Sequence, residues 1–109
     1  MGSIAIKINP SKLDNSDADL RYLIPEKIEE LTNKVVIDDG YDYLEDEQNS
    51  MVIFLQSDHP QNHVVKVLEI LKNEDFLGNI IYDVAIVAID EGNGYRVIHP
   101  DKYDEEFIV

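Results

Sequence analysis

The chain contains no cysteine. That excludes disulfides, thiolate nucleophiles and sulfur-ligated zinc, and it fits a reducing compartment. Cations are scarce: nine Lys plus Arg stand against 23 Asp plus Glu, a formal net charge of −14 in 109 residues. Between Lys34 and Lys66 there is no Lys or Arg at all. Such a deficit repels nucleic acid and anionic membrane surfaces and attracts basic partners. Long apolar runs are missing too. The longest nearly apolar stretch, residues 80–89, is broken by Tyr82 and Asp83 and is too short to cross a bilayer. No charged segment followed by an apolar one marks a signal peptide, so the expected location is cytoplasmic. Gly2 does not make a myristoylation site, because position 6 is Ile, and Gly2-Ser3 reads as a cloning remnant. Walker, dinucleotide-binding and nucleophile-elbow motifs are also lacking, so neither an enzyme nor a cofactor is expected.

What is present is enough apolar side chain for one core: 44% of the chain is hydrophobic. The length sets one domain, residues 1–100, followed by an acidic tail, residues 101–109. Ile4, Ile6 and Ile8 alternate with Ala5 and Lys7 and predict a half-buried strand. Leu20, Ile24, Ile28 and Leu31 recur at helical spacing over residues 17–33. Pro25 complicates that helix, which is either kinked there or starts there. Val35-Val36-Ile37 opens a strand, Asp38-Asp39-Gly40 is a bulge or a tight turn, and Tyr41 to Leu44 read as strand again. Residues 45–50 form a polar hairpin loop before a strong strand at 51–56. Ser57, Asp58 and Pro60 announce a helix over residues 60–73, with Val64, Val67, Leu68 and Leu71 on its apolar face. A strand follows at 80–90, then Asn93-Gly94 as a hairpin signal and a returning strand at 95–99.

The order β, α, β, β, α, β, β folds most simply as an α+β, ferredoxin-like βαββαβ sandwich. Two helices would cover one face of an antiparallel sheet, and the added C-terminal strand would lie beside the fourth. In the strands at 51–56 and 80–90 both faces are apolar, so the face away from the helices needs a cover. The tail, through Tyr103 and Phe107-Ile108, is one expected cover; a homodimer through the sheet face is the other.

Three constellations bear on chemistry. His59 and His63 stand four apart at a helix start, the spacing of two-His metal sites, but the glutamate of such motifs is absent and surface histidines are expected. His99 has no acid or nucleophile beside it in sequence. Residues 38–47 hold six carboxylates in ten positions, without the spacing of an EF-hand loop, so no metal is expected. Tyr41 and Tyr43 lie two apart in a strand and share a face among those carboxylates. Aromatic area framed by charge is what an interface presents. Asp38, Asp39, Tyr41, Asp42, Tyr43, Glu45, Asp46 and Glu47 are therefore the candidate partner-binding residues. The expected function is an acidic protein-binding module that neutralises a basic protein partner. Bacterial immunity proteins and nuclease inhibitors share that character, an analogy of charge and anchors rather than of motif. The alternative is a small dimeric regulatory or ligand-binding domain in which the acidity serves solubility.

Overall fold

Ile4, Ile6 and Ile8 give β1 (Gly2–Ile8) one strongly apolar face, and this strand becomes the centre of the sheet. The computed structural model describes residues 2–45, 49–103, 105, 107 and 109. In it β1 pairs antiparallel with β3 (Met51–Ser57) on one side and with β4 (Ala85–Asp90) on the other. β2 (Val36–Tyr43) adds to β3 and β5 (Tyr95–His99) adds to β4, both antiparallel. The strand order is β2-β3-β1-β4-β5. Two helices join parallel strands that have one strand between them: α1 (Leu20–Leu31) links β1 to β2, and α2 (Pro60–Asn73) links β3 to β4. The class is α+β, a five-stranded antiparallel sheet with two helices.

Both helices pack on the face that carries Ile4, Ile6 and Ile8. Leu20, Ile24 and Ile28 descend from α1, and Val64, Val67, Ile70 and Leu71 from α2, onto Ile53, Leu55, Val87 and Ile89 of the sheet. Burying one such side chain contributes roughly 1.5–3 kcal/mol. The exposed ion pairs Lys27–Glu30 and Arg96–Glu91 contribute at most about 1 kcal/mol each, so burial decides the fold. Leu31, the last residue of the helical stripe, stays exposed.

Pro25 lies inside α1 and is itself buried with Ile24 and Ile28. Its missing N–H forfeits one helical hydrogen bond, to the Arg21 carbonyl; core packing of the flanking residues outweighs that loss. The helix leaves through Asn33 and Lys34, both left-handed, with Lys34 N–H donating to Glu29 O at 2.8 Å. β4 begins later than the apolar run implies. Ile80 leads instead into a one-turn 3₁₀ helix, Ile81–Asp83, which carries Ile81 into the helix-side core. Just before it, buried Asn79 accepts from Asn15 N–H at 3.0 Å and donates to the carbonyls of Asn15 and Phe76 at 2.7 and 2.9 Å. That clamp holds the lead-in to α1 against the entrance of β4.

At the start of the chain, Gly2 and Ser3 are paired within β1. A Cβ on Gly2 would stand 2.6 Å from Asp90 O and 2.6 Å from Pro60 Cγ, so the position has no room for a side chain. On the face away from the helices, Ala5, Val52 and Ala88 are fully buried. Phe107 lies there: its ring packs 5.6 Å from the Tyr95 ring and lies under Lys7 Nζ at 5.9 Å.

Candidate functional site

β2 is an edge strand, hydrogen-bonded on one side only, to β3. Its register shifts between Asp38 and Tyr41. The extra residue is accommodated by Gly40, whose φ of 98° a side-chain-bearing residue rarely adopts. Asp38 Oδ1 accepts Gly40 N–H at 2.9 Å across the bulge, and Glu29 of α1 accepts Asp38 N–H at 2.8 Å. The segment thus resolves as one bulged strand. Bulges, short edges and edge charge are the means by which sheets avoid unwanted edge pairing.

Beyond the bulge, Tyr41 and Tyr43 stand opposite Ile53 and Met51, both core residues, so both phenols lie on the helix side. Asp42, opposite Val52, points to the other face. The two tyrosines do not enter the core; they remain 42% and 41% exposed, and Tyr22 of α1 remains 50% exposed. Together the three rings surround Arg21. Its guanidinium carbon lies 4.7 Å from the Tyr22 centroid and 5.1 Å from the Tyr41 centroid. Nη1 donates to Tyr43 Oη at 3.4 Å. Tyr22–Tyr41 and Tyr41–Tyr43 meet edge to face at 5.9 and 6.0 Å, the arrangement aromatic quadrupoles prefer.

This environment shifts three groups. Arg21 is held above its ordinary value, first by its hydrogen bond with Tyr22 and then by that with Tyr43. Tyr22 is pulled below the usual phenol range by Arg21 and, next, by Tyr41. Tyr41 is pushed up, first through its hydrogen bond with Tyr22. Among the described residues Arg21 makes no ion pair, in a chain with 23 carboxyl side chains. Its guanidinium instead meets two aromatic faces and the Tyr43 hydroxyl, while Nε is buried without a hydrogen-bond partner among the described residues.

Of the residues expected from sequence, Asp38, Asp39, Tyr41, Asp42, Tyr43 and Glu45 are exposed along this edge. The hairpin is closed by Leu44 N–H donating to Ser50 O at 2.8 Å. Asp46 and Glu47 lie outside the described residues. Arg21 and Tyr22 were not expected here. Their only sequence signal is an adjacent cation and aromatic in the first turn of a helix, and nothing local ties them to β2.

The His59–His63 pair serves local structure. His63 Nδ1 lies 2.5 Å from Ser57 Oγ, which also accepts His59 N–H at 3.1 Å and so steadies the start of α2. The two imidazoles meet edge-on at 6.1 Å. Among the described residues no three His, Asp or Glu side chains come together as a metal site, and no helix is long and apolar enough to cross a membrane. Compared with known proteins, the chain matches no family model, no curated protein and no solved structure.

Proposed function

We propose that this chain is an acidic protein-binding module that docks and neutralises a basic protein on its β2 edge, as an immunity protein or nuclease inhibitor does. The observation that carries the reading is the exposed Tyr22–Tyr41–Tyr43 cluster around Arg21, on the same edge strand as exposed Asp38 and Asp39, with Asp42 on the opposite face. A merely solvated acidic edge has no use for three large rings in contact with water. Tyr and Arg are the residue types that dominate binding energy at interfaces, and mutual packing leaves little rotamer freedom to lose on association. The carboxylates bring a basic partner in by long-range attraction, and the aromatic group holds it. Neither nucleic acid nor an anionic membrane surface is a suitable partner for a net charge of −14, and the expected setting is the cytoplasm.

The finer fold reading belongs to the same proposal. A ferredoxin-like βαββαβ sandwich with an extra strand is supported by the order β2-β3-β1-β4, by the two helices each linking parallel strands around a central one, and by β5 added beside β4. The fold sets Tyr22 on α1 against Tyr41 on the outermost strand.

Affinity capture with the intact chain tests the function. A basic protein retained by the wild type and lost both by Asp38→Lys/Asp39→Lys/Asp42→Lys and by Tyr41→Ala is the expected result. Equal recovery of that protein by all three forms rejects the reading.

A further inference from the structure

A cleft of about 570 Å³ opens where β1 and β5 end and β3 and β4 begin. That volume lies in the range of small-molecule sites, roughly 300–1,000 Å³. We propose that it binds a small amphoteric molecule, one bearing both a carboxylate and an ammonium group, of the size of an aromatic amino acid. The site is distinct from the β2 edge and does not depend on the role given to that edge.

The lining carries both signs of charge. Lys12 and Lys7 contribute cations, and Asp83 and Glu105 contribute carboxylates. The side chains of Lys12 and Asp83 are exposed and form no ion pair or hydrogen bond with any described residue. Two opposite charges therefore line one cavity without being spent on each other. A simple anion entering it meets the repulsion of a chain of net charge −14. A simple cation is drawn to the acidic surface everywhere and gains nothing particular from a cleft holding two lysines. A molecule with no net charge escapes both problems: its carboxylate meets Lys12 and its ammonium meets Asp83, each as a charge-assisted hydrogen bond.

One wall is aromatic and fixed in place. The His99 ring lies 4.1 Å from the Tyr82 ring, inclined by 34°. His99 Nε2–H donates to Tyr82 O at 2.8 Å, which assigns the proton to that nitrogen. Lys72 Nζ stands 5.5 Å from the centroid of Tyr82. Such a wall accepts an apolar or aromatic group with little ordering left to do.

Backbone-amide NMR titrations of the intact protein test the proposal, with L-phenylalanine, phenylacetate and phenethylamine as probes. Phenylalanine is expected to give saturable shifts at Asn9, Lys12, Asp83 and His99. Each single-charge analogue should bind about tenfold more weakly, the loss of one charge-assisted hydrogen bond. Lys12→Ala should reduce phenylalanine to the level of phenethylamine, and Asp83→Asn should reduce it to that of phenylacetate. The triple Lys variant of the β2 edge should leave phenylalanine binding unchanged, which separates this site from the protein interface. Absence of saturable shifts with all three probes overturns the proposal. So does phenethylamine binding as tightly as phenylalanine to the wild type.

Discussion

Tyr22 of α1 and Tyr41 of β2 stand edge to face at 5.9 Å, and one guanidinium, that of Arg21, lies against both rings. The cation divides the pair. Tyr22 ionises below the ordinary phenol value of 10.0 and Tyr41 above it. For Tyr22, a lowered native pKa means that its contribution to stability is present above pH 10 and fades as pH falls through the native value. For Tyr41, a raised native pKa means a contribution present below pH 10 and lost as pH climbs. Tyrosinate absorbance should show the earliest phenol titration disappearing in Tyr22→Phe. In Arg21→Met that step should move up toward the ordinary value. An unchanged first step in Arg21→Met would mean that the guanidinium is not what divides the pair.

Carboxylates crowded on one strand repel each other, so the acidic β2 edge lowers the stability of the chain that carries it. Changing Asp38, Asp39 and Asp42 together to Asn keeps the Oδ1 acceptors that hold Gly40 and Tyr43 N–H and removes only the charge. The variant should melt higher than the wild type at low salt, by up to about 1 kcal/mol, and the gain should shrink as salt screens the repulsion. Under the proposed function the same variant should also lose affinity for a basic protein. A lower melting temperature at low salt would show that the carboxylates stabilise the strand.

Gly2 allows β1 to pass beneath Pro60 and beside the Asp90 carbonyl. Gly2→Ala puts a methyl group into two contacts of 2.6 Å and should cost about 1–3 kcal/mol, the usual penalty of overpacking. Urea unfolding measures it directly. An unchanged midpoint would show that the start of β1 moves aside freely.

Phe107 packs on Tyr95 on the sheet face away from the helices. Tyr95 is pushed above the ordinary phenol value, chiefly by burial, although a hydrogen bond with Ser3 works the other way. A raised native pKa gives stability below pH 10 that is lost as pH rises through it, so the tail should loosen in alkali. Phe107→Ala should return Tyr95 toward its ordinary value. Removal of residues 101–109 should uncover Tyr95 on that face and make the protein self-associate in sedimentation velocity. A shortened chain that stays monomeric would show that the face tolerates water.

The sequence pattern located what short-range order controls. Alternation marked β1, and the apolar stripe of α2 appears where Val64, Val67 and Leu71 placed it. The bulge and the 91–94 turn followed from Gly40 and Asn93-Gly94, whose backbone needs are local. What escaped depends on partners distant in the chain. Pro25 argues locally against a continuous helix, but the core beneath Ile24 and Ile28 overrides it. Ile80 and Ile81 have strand composition, yet Ile81 is drawn under α2 and the strand starts at Ala85. Half of the aromatic cluster was legible as Tyr41 and Tyr43; Arg21 and Tyr22 join it only because α1 packs against the edge strand.

The Asn79 clamp carries a consequence for the order of events in folding. Asn15 and Asn79 are 64 positions apart, and closing so long a loop is entropically slow. The approach to α1 is therefore completed only after the second half of the chain has reached its place. A nascent chain holding only the first half lacks the Asn79 side chain that fastens Asn15. Pulsed hydrogen exchange should find the Asn15 amide protected among the last. In Asn79→Ala that protection should vanish while the centre of β1 keeps its own.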